Sequence, residues 1–229
     1  MIFKRIKKAL RNAQESVTKL LGKIDLKQFG EKEFVIISNN CWGAEIYKRL
    51  NREYNTPFVG LFIVGPDYIR LLENFDHYMS LPLQFTKGSV WFDPPIKYPI
   101  GKLDDIEIHF VHYKSNEEVI DKWTRRLSRM NEVLDRDKYY IKICDRDYTT
   151  PDMFQKFHSL PFKNKISFSI KPINAKEHIV VSEHEGERVP DGVVLYKYSF
   201  KYVDLFKWIK TGEISNNWYG KIKSFAGVA

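Results

Sequence analysis

Four apolar residues, Phe34 to Ile37, run straight into Ser38-Asn39-Asn40-Cys41-Trp42-Gly43, and Ala44-Glu45-Ile46-Tyr47-Lys48-Arg49-Leu50 resumes with helical spacing. A short apolar run, a break of small polar residues and a 3.6-residue period describe a buried strand that turns sharply into a helix. Such a turn falls at the carboxyl edge of a sheet, where open α/β folds bind ligands. It also sets Cys41 at a helix N-terminus. Unpaired amides and the positive end of the helix dipole stabilise a thiolate there, so a lowered thiol pKa is expected.

The rest of the chain repeats the alternation. A strand over 58–64 leads through Gly65-Pro66, with proline suited to a first helical turn, into a helix over 67–79. Residues 81–105 carry Pro82, Pro94, Pro95 and Pro99 around Trp91 and Phe92, and read as a lid or binding loop, with a short hairpin as the alternative for part of it. A strand over 106–113 precedes Ser115 and Glu118, whose spacing is that of a capping box, and a helix over 116–131. Tyr139 to Cys144 is a further strand. Thr150-Pro151-Asp152 supplies cap, first-turn proline and dipole-compatible acid for a helix to about Leu160. After Pro161, residues 165–170, 178–181 and 193–202 read as strands and 203–210 as a helix. The expected class is α/β, a three-layer, mainly parallel Rossmann-like sheet flanked by helices. Residues 1–30 read as an N-terminal amphipathic helix and 31–229 as one α/β domain, in which 161–229 either extends the sheet or forms a C-terminal lobe.

At 229 residues, 43% hydrophobic and 29% charged, the chain is long enough to bury a full core. Its two cysteines, Cys41 and Cys144, form no C-x-x-C pair, which excludes a disulfide framework and fits a reducing cytoplasm. The net charge of +8 is concentrated at one end. Residues 1–30 hold eight Lys or Arg against Glu15 and Asp25, which leaves the remainder close to neutral. A nucleic-acid-binding domain is therefore not expected. Phe3, Ile6, Leu10, Ala13, Val17, Leu20 and Ile24 form one apolar stripe on that basic helix. Two readings stand: the stripe lies on an anionic membrane surface at its cytoplasmic face, or it docks on the body or on a second copy. No continuous apolar stretch resembles a signal peptide or a bilayer span. Oligomeric state is not legible.

If the strands are parallel and adjacent, the loops at 38–43, 112–115 and 144–149 meet at one edge. Cys41 would then attack, His112 would carry a proton, and Asp145 or Asp147 would orient the imidazole. Amides at the helix start, aided by Asn39 or Asn40, would hold an oxyanion. Inert packing of a small cysteine in a tight turn is the competing reading. Asp145-Arg146-Asp147 after a hydrophobic strand also has the D-x-D form that holds Mg²⁺ or Mn²⁺ against a nucleotide-sugar diphosphate, with a solvated turn as its alternative. Arg125 and Arg129 share a helix face and could clamp an anion, or simply be a charged surface. His109 reads as buried with a hydrogen-bond partner, and His178 and His184 as members of a solvated loop. Tyr196, Tyr198, Phe200 and Tyr202 would line one side of a strand.

Taken in order, Ile37 to Gly43, Pro57 to Ile63, Tyr98-Pro99-Ile100-Gly101, Ile106 to Ser115, Lys122-Trp123-Thr124-Arg125-Arg126 and Cys144-Asp145-Arg146-Asp147 resemble one bacterial domain-of-unknown-function family, number nineteen-nineteen, often labelled an exopolysaccharide biosynthesis protein. The resemblance spans roughly residues 30–210. It implies work on cell-surface polysaccharide at the cytoplasmic face of the membrane, and it supplies no reaction or catalytic residues. The turn at Cys41 is also similar to the Gly-Asn-Cys-Gln turn of a capsule-biosynthesis acetyltransferase-like family, with Asn39 standing for the glycine and Trp42 for the glutamine. The expected function is a transferase of exopolysaccharide or capsule assembly. It would act on a sugar or lipid-linked glycan, with an acyl-CoA donor or with a nucleotide sugar and Mn²⁺ or Mg²⁺. The alternative is a non-catalytic carbohydrate-binding or scaffolding protein at the membrane surface.

Overall fold

The computed structural model describes residues 29–215 without a break, and before them positions 12, 16, 17, 20, 23, 24, 26 and 27, all helical. The basic helix expected over 1–30 thus lies largely outside the described residues. Its end is visible. Gly30 takes a left-handed φ of 66° and its N–H donates to Leu26 O at 3.1 Å, the helix-closing geometry glycine favours. Phe29 is buried against Phe34 and Phe206, whereas Val17 and Leu20 of the stripe are exposed.

In chain order the first elements are β1 (Val35–Ser38), α1 (Trp42–Arg49), α2 (Gly65–Glu73), α3 (Phe75–Ser80), β2 (Gln84–Thr86), β3 (Ile100–Leu103), β4 (Ile106–His109) and α4 (Asn116–Glu132). They are followed by β5 (Tyr139–Cys144), α5 (Pro151–Ser159), β6 (Asn164–Ser169), β7 (His178–Val180), α6 (Gly192–Tyr202) and α7 (Leu205–Thr211). Strands β1, β5, β6 and β7 pair in that order, all parallel, with Val35 opposite Tyr139, Tyr140 opposite Asn164 and Ser167 opposite His178. Strands β2, β3 and β4 form a separate antiparallel sheet.

Alternation along the parallel strands divides the core in two. Val35, Ile37, Ile141 and Ile143 face one cluster, which takes in α2 to α5 and the apolar residues of the antiparallel sheet. Ile36, Tyr140 and Cys144 face the other, which takes in α1, α6 and α7. Helices thus cover both faces, as three layers require. The segment after Pro161 continues this sheet through β6 and β7 and covers it with α6 and α7.

Four elements differ from the sequence reading. Residues 58–64 are mostly buried but form no strand: Gly60 takes φ 73°, and the pairing is reduced to one bridge from Phe62 to His109. The strand expected over 106–113 stops at His109, because Val111 N donates back to His109 O and Tyr113 N to Phe110 O, and it belongs to the antiparallel sheet. The helix expected over 67–79 is two helices, broken at Asn74 (φ −125°, ψ 45°). Residues 193–202 are a helix, not a strand. Asp191 Oδ1 accepts from Val193 N and Val194 N, and Leu195, Tyr196, Ser199 and Phe200 are buried at helical spacing. The Tyr196 to Tyr202 row on a strand face therefore does not exist. A run of Val, Tyr and Phe favours strands by propensity, but the cap and packing against α1 override it.

Candidate functional site

The site begins at the end of β1. Ser38 and Asn39 are fully buried and Asn40 nearly so. They surround Lys142, a wholly buried lysine on β5 whose ammonium donates to Asn39 Oδ1 at 3.2 Å and Asn40 Oδ1 at 3.0 Å. Asn40 Oδ1 also accepts from Trp42 N at 3.3 Å, and its Nδ2 donates to Cys144 Sγ at 3.3 Å. Both amides are engaged beneath the turn, where they support its shape. Trp42 anchors the same turn from the other side. It is fully buried, and its indole N–H donates to Ser199 Oγ on α6 at 2.9 Å.

Cys41 occupies the N-cap position of α1, half-buried, with its thiol 3.8 Å from Leu61 O. Its pKa is pushed up to about 11, chiefly by burial, with nearby Lys48 acting weakly the other way. The expectation of a lowered pKa is therefore reversed. Desolvation outweighs the helix end, whose first amide is already taken by Asn40. At neutral pH Cys41 is a thiol.

The two aspartates after β5 part company. Asp145 Oδ2 accepts from Ile170 N and Oδ1 from Val189 N, both at 2.8 Å, so each oxygen closes a backbone segment. Arg146 donates to Val189 O and pairs with Glu185, both at 2.9 Å. Asp147 has a left-handed φ of 57°, and its carbonyl accepts from Gly65 N at 2.6 Å. Its half-buried carboxyl is raised in pKa, mainly by burial, against the opposing pull of Arg146 and Lys142. Both Asp145 oxygens are thus engaged with the backbone, whereas no side-chain hydrogen bond holds the Asp147 carboxyl among the described residues. The described residues contain no group of three or more His, Cys, Asp or Glu able to hold a metal ion.

A cavity of about 340 Å³ brings the expected residues together. Cys41, His112 and Asp147 all line it, along with Asn40, Arg146 and Asp191. His112 arrives from the loop after β4 in the antiparallel sheet, not from a parallel strand, and its N–H donates to Gly60 O at 3.1 Å. It is exposed, and among the described residues no hydrogen bond joins it to Cys41. Aromatic rings rise on the Asp147 side. Tyr148 packs against Trp91 and Phe92 with centroids 5.9 and 5.6 Å away, and Phe62 packs against Phe92 at 5.8 Å. The loop carrying Trp91 is tied down by its indole N–H to Asp67 Oδ2 at 2.9 Å and by Ser89 Oγ to Glu107 Oε2 at 2.6 Å.

Cys41 and His112 also line a second cavity, of about 330 Å³, with Tyr54, Tyr113, Lys48, Lys122 and Arg126. Sequence reasoning chose the neighbouring arginines. Arg125 is paired with Asp121, and Arg129 with Glu53 and Tyr54 O, outside both cavities. The phase of α4 could have decided this. Val119, Trp123 and Met130 are its buried residues, and position 126 falls on their face while 125 does not.

Two other histidines, His109 and His178, pack within the fold, while His184 is exposed in a loop as expected. His109 is fully buried, stacked 4.6 Å from the Phe62 ring and 3.6 Å from Glu107, and neither ring nitrogen has a hydrogen-bond partner. The expected partner is replaced by a box of Phe62, Phe92 and Tyr98. His178 is not in a solvated loop. It lies in β7 with its ring nitrogens 2.8 Å from Ser167 Oγ and 3.1 Å from Ser169 Oγ.

The fold and site define an α/β protein with a parallel sheet flanked by helices, whose first strand ends in a polar turn under two adjoining cavities. The chain belongs to the family described as "Domain of unknown function (DUF1919)", whose model matches residues 12–210. It is 34% identical over 214 residues to an uncharacterized protein of Haemophilus influenzae, across 91% of this chain and 96% of that one.

Proposed function

We propose that the cavity between the Cys41 turn, the His112 loop and Asp147 is the active site of a transferase that moves an acyl or glycosyl group onto a hydroxyl of a sugar or lipid-linked glycan, in exopolysaccharide or capsule assembly. The observation that carries this reading is the separation of the two aspartates. Asp145 is spent on backbone amides, while Asp147 faces a cavity beside His112 with its pKa moved towards the range where a general base works at neutral pH. In the step, Asp147 takes the acceptor hydroxyl proton and the oxygen bonds to the donor carbon. The bond from that carbon to its leaving group breaks, and His112 protonates the leaving atom. Cys41, held as a thiol, lines the cavity and is not needed as a nucleophile. The aromatic rings around Tyr148 are suited to stacking on a sugar face.

The reading extends to where the chain works. Val17 and Leu20 are exposed on the basic stripe, which suits an anionic membrane surface. Among the described residues no helix is long and apolar enough to cross a membrane. The test is a thermal-shift panel of acyl-coenzyme A compounds and nucleotide sugars, with and without Mn²⁺, followed by product assays. Stabilisation by one donor class, with turnover lost in Asp147→Asn and in His112→Ala at unchanged melting temperature, is expected. Turnover that survives Asp147→Asn would overturn the acid–base assignment. Binding of glycan without any turnover would favour the non-catalytic carbohydrate-binding alternative.

A further inference from the structure

The second cavity has walls of a different character from the first. Arg126 is held in place from two sides: Nη1 donates to Tyr113 Oη at 2.6 Å, and the guanidinium lies 4.9 Å over the Tyr54 ring. Tyr113 is itself buried, and its hydroxyl donates to Val59 O at 2.6 Å. Arg125 and Arg129 on the same helix each pair with a carboxylate. Arg126 has none within ion-pair distance among the described residues, and one of its five N–H groups is engaged. Lys122 lies 5.2 Å over the Tyr113 ring, and Lys48 completes the cationic wall. Glu118 and Glu45 orient these two lysines, at 2.6 and 2.5 Å, but only Glu45 lines the cavity. Three cations and one carboxylate therefore surround about 330 Å³, a volume suited to a small ligand.

We propose that this cavity binds a diphosphate group, with Arg126 as its fixed anchor and Lys122 and Lys48 closing on it. A rigid guanidinium matches phosphate oxygens with paired N–H donors, and the half-buried Lys122 and exposed Lys48 ammonium groups supply the remaining charge. The diphosphate of a nucleotide and that of a prenyl lipid share this chemistry. The inference rests on the cavity walls and not on the acid–base reading, since Asp147 is not among them.

The test is titration calorimetry of the full chain with pyrophosphate, uridine diphosphate and farnesyl diphosphate. Saturable binding that weakens with salt is expected, roughly tenfold weaker in Arg126→Gln and within about twofold of wild type in Arg125→Gln. Glu45→Gln removes the one carboxylate in the wall and is expected to tighten binding, a gain that misfolding does not mimic. Higher affinity for the uridine or the farnesyl compound than for pyrophosphate supports the site and identifies the carrier. Absence of saturable binding by all three, or equal loss in Arg126→Gln and Arg125→Gln, overturns it. Asp147→Asn is expected to retain pyrophosphate binding, so failure of the transferase reading and failure of this one are separable.

Discussion

Asp145 and Asp147 lie two residues apart, and their surroundings give them opposite roles. Asp145 accepts two backbone amides, and hydrogen bonds to a charged group contribute about 1.5–3 kcal/mol each. Asp145→Ala is therefore expected to lower stability by about 3 kcal/mol, measurable as a fall in the urea midpoint. Asp147 is raised in pKa, so its ionised form at pH 7 is a cost to the fold. Asp147→Asn should be as stable as wild type or slightly more so, and a variant that loses stability at pH 7 would contradict this. His109 makes the acid side testable. Its native pKa is lowered to about 4 by burial, against about 6.5 in an unfolded chain. The unfolded chain binds the proton first, so the contribution of His109 is complete above pH ~6.5 and is lost as the pH falls towards 4. His158 and His178, also lowered by burial, act in the same direction, while the raised Asp147 acts against them. His109→Phe is expected to remove on the order of 2 kcal/mol of the stability difference between pH 7.5 and pH 4. An unchanged pH dependence in urea melts would show that His109 is not the group responsible.

At the scale of elements, the site depends on how closely α6 approaches the Cys41 turn. A Cβ at Gly192 would meet Asn40 Oδ1 at 2.7 Å and Trp42 N at 2.8 Å, both in the turn that shapes the cavity. Gly192→Ala must push the first turn of α6 away, at about 1–3 kcal/mol by analogy with overpacking. A Cβ at Gly88 would meet nothing within 4 Å, so Gly88→Ala should stay within about 0.5 kcal/mol of wild type. Thermal melts of the two variants decide the matter, and equal melting temperatures would refute the close-approach argument. α6 is also the element least legible beforehand. Val193 to Tyr202 is rich in residues that favour strands, and the helix is started by a cap at Asp191 that lies outside that run. By contrast, α4 was legible because its cap is local: Ser115 Oγ accepts from Glu118 N at 3.3 Å, as the spacing of the two residues implied.

For the molecule as a whole, β1 and β5 supply side chains to both core clusters, so neither face can lose its packing without exposing the strands of the other. Far-ultraviolet circular dichroism and tryptophan fluorescence should report one coincident unfolding transition. Two separated transitions would show that residues 161–229 form an independent lobe. Local pattern determined the strands at 35–38 and 139–144 and the α4 cap, since strand runs and capping boxes act over a few residues. It also pointed to Cys41, His112 and Asp147 as neighbours, although His112 reaches the cavity from a sheet the sequence did not reveal. What only the tertiary structure decided was the surroundings of each group: a Cys41 whose pKa is raised by burial, one aspartate of two left lining the cavity, and Arg126, not Arg125 or Arg129, in the wall of the second. Those outcomes depend on desolvation and on partners from distant segments, such as Leu61 for Cys41, Val189 for Asp145 and Tyr54 for Arg126, and no local spacing encodes them.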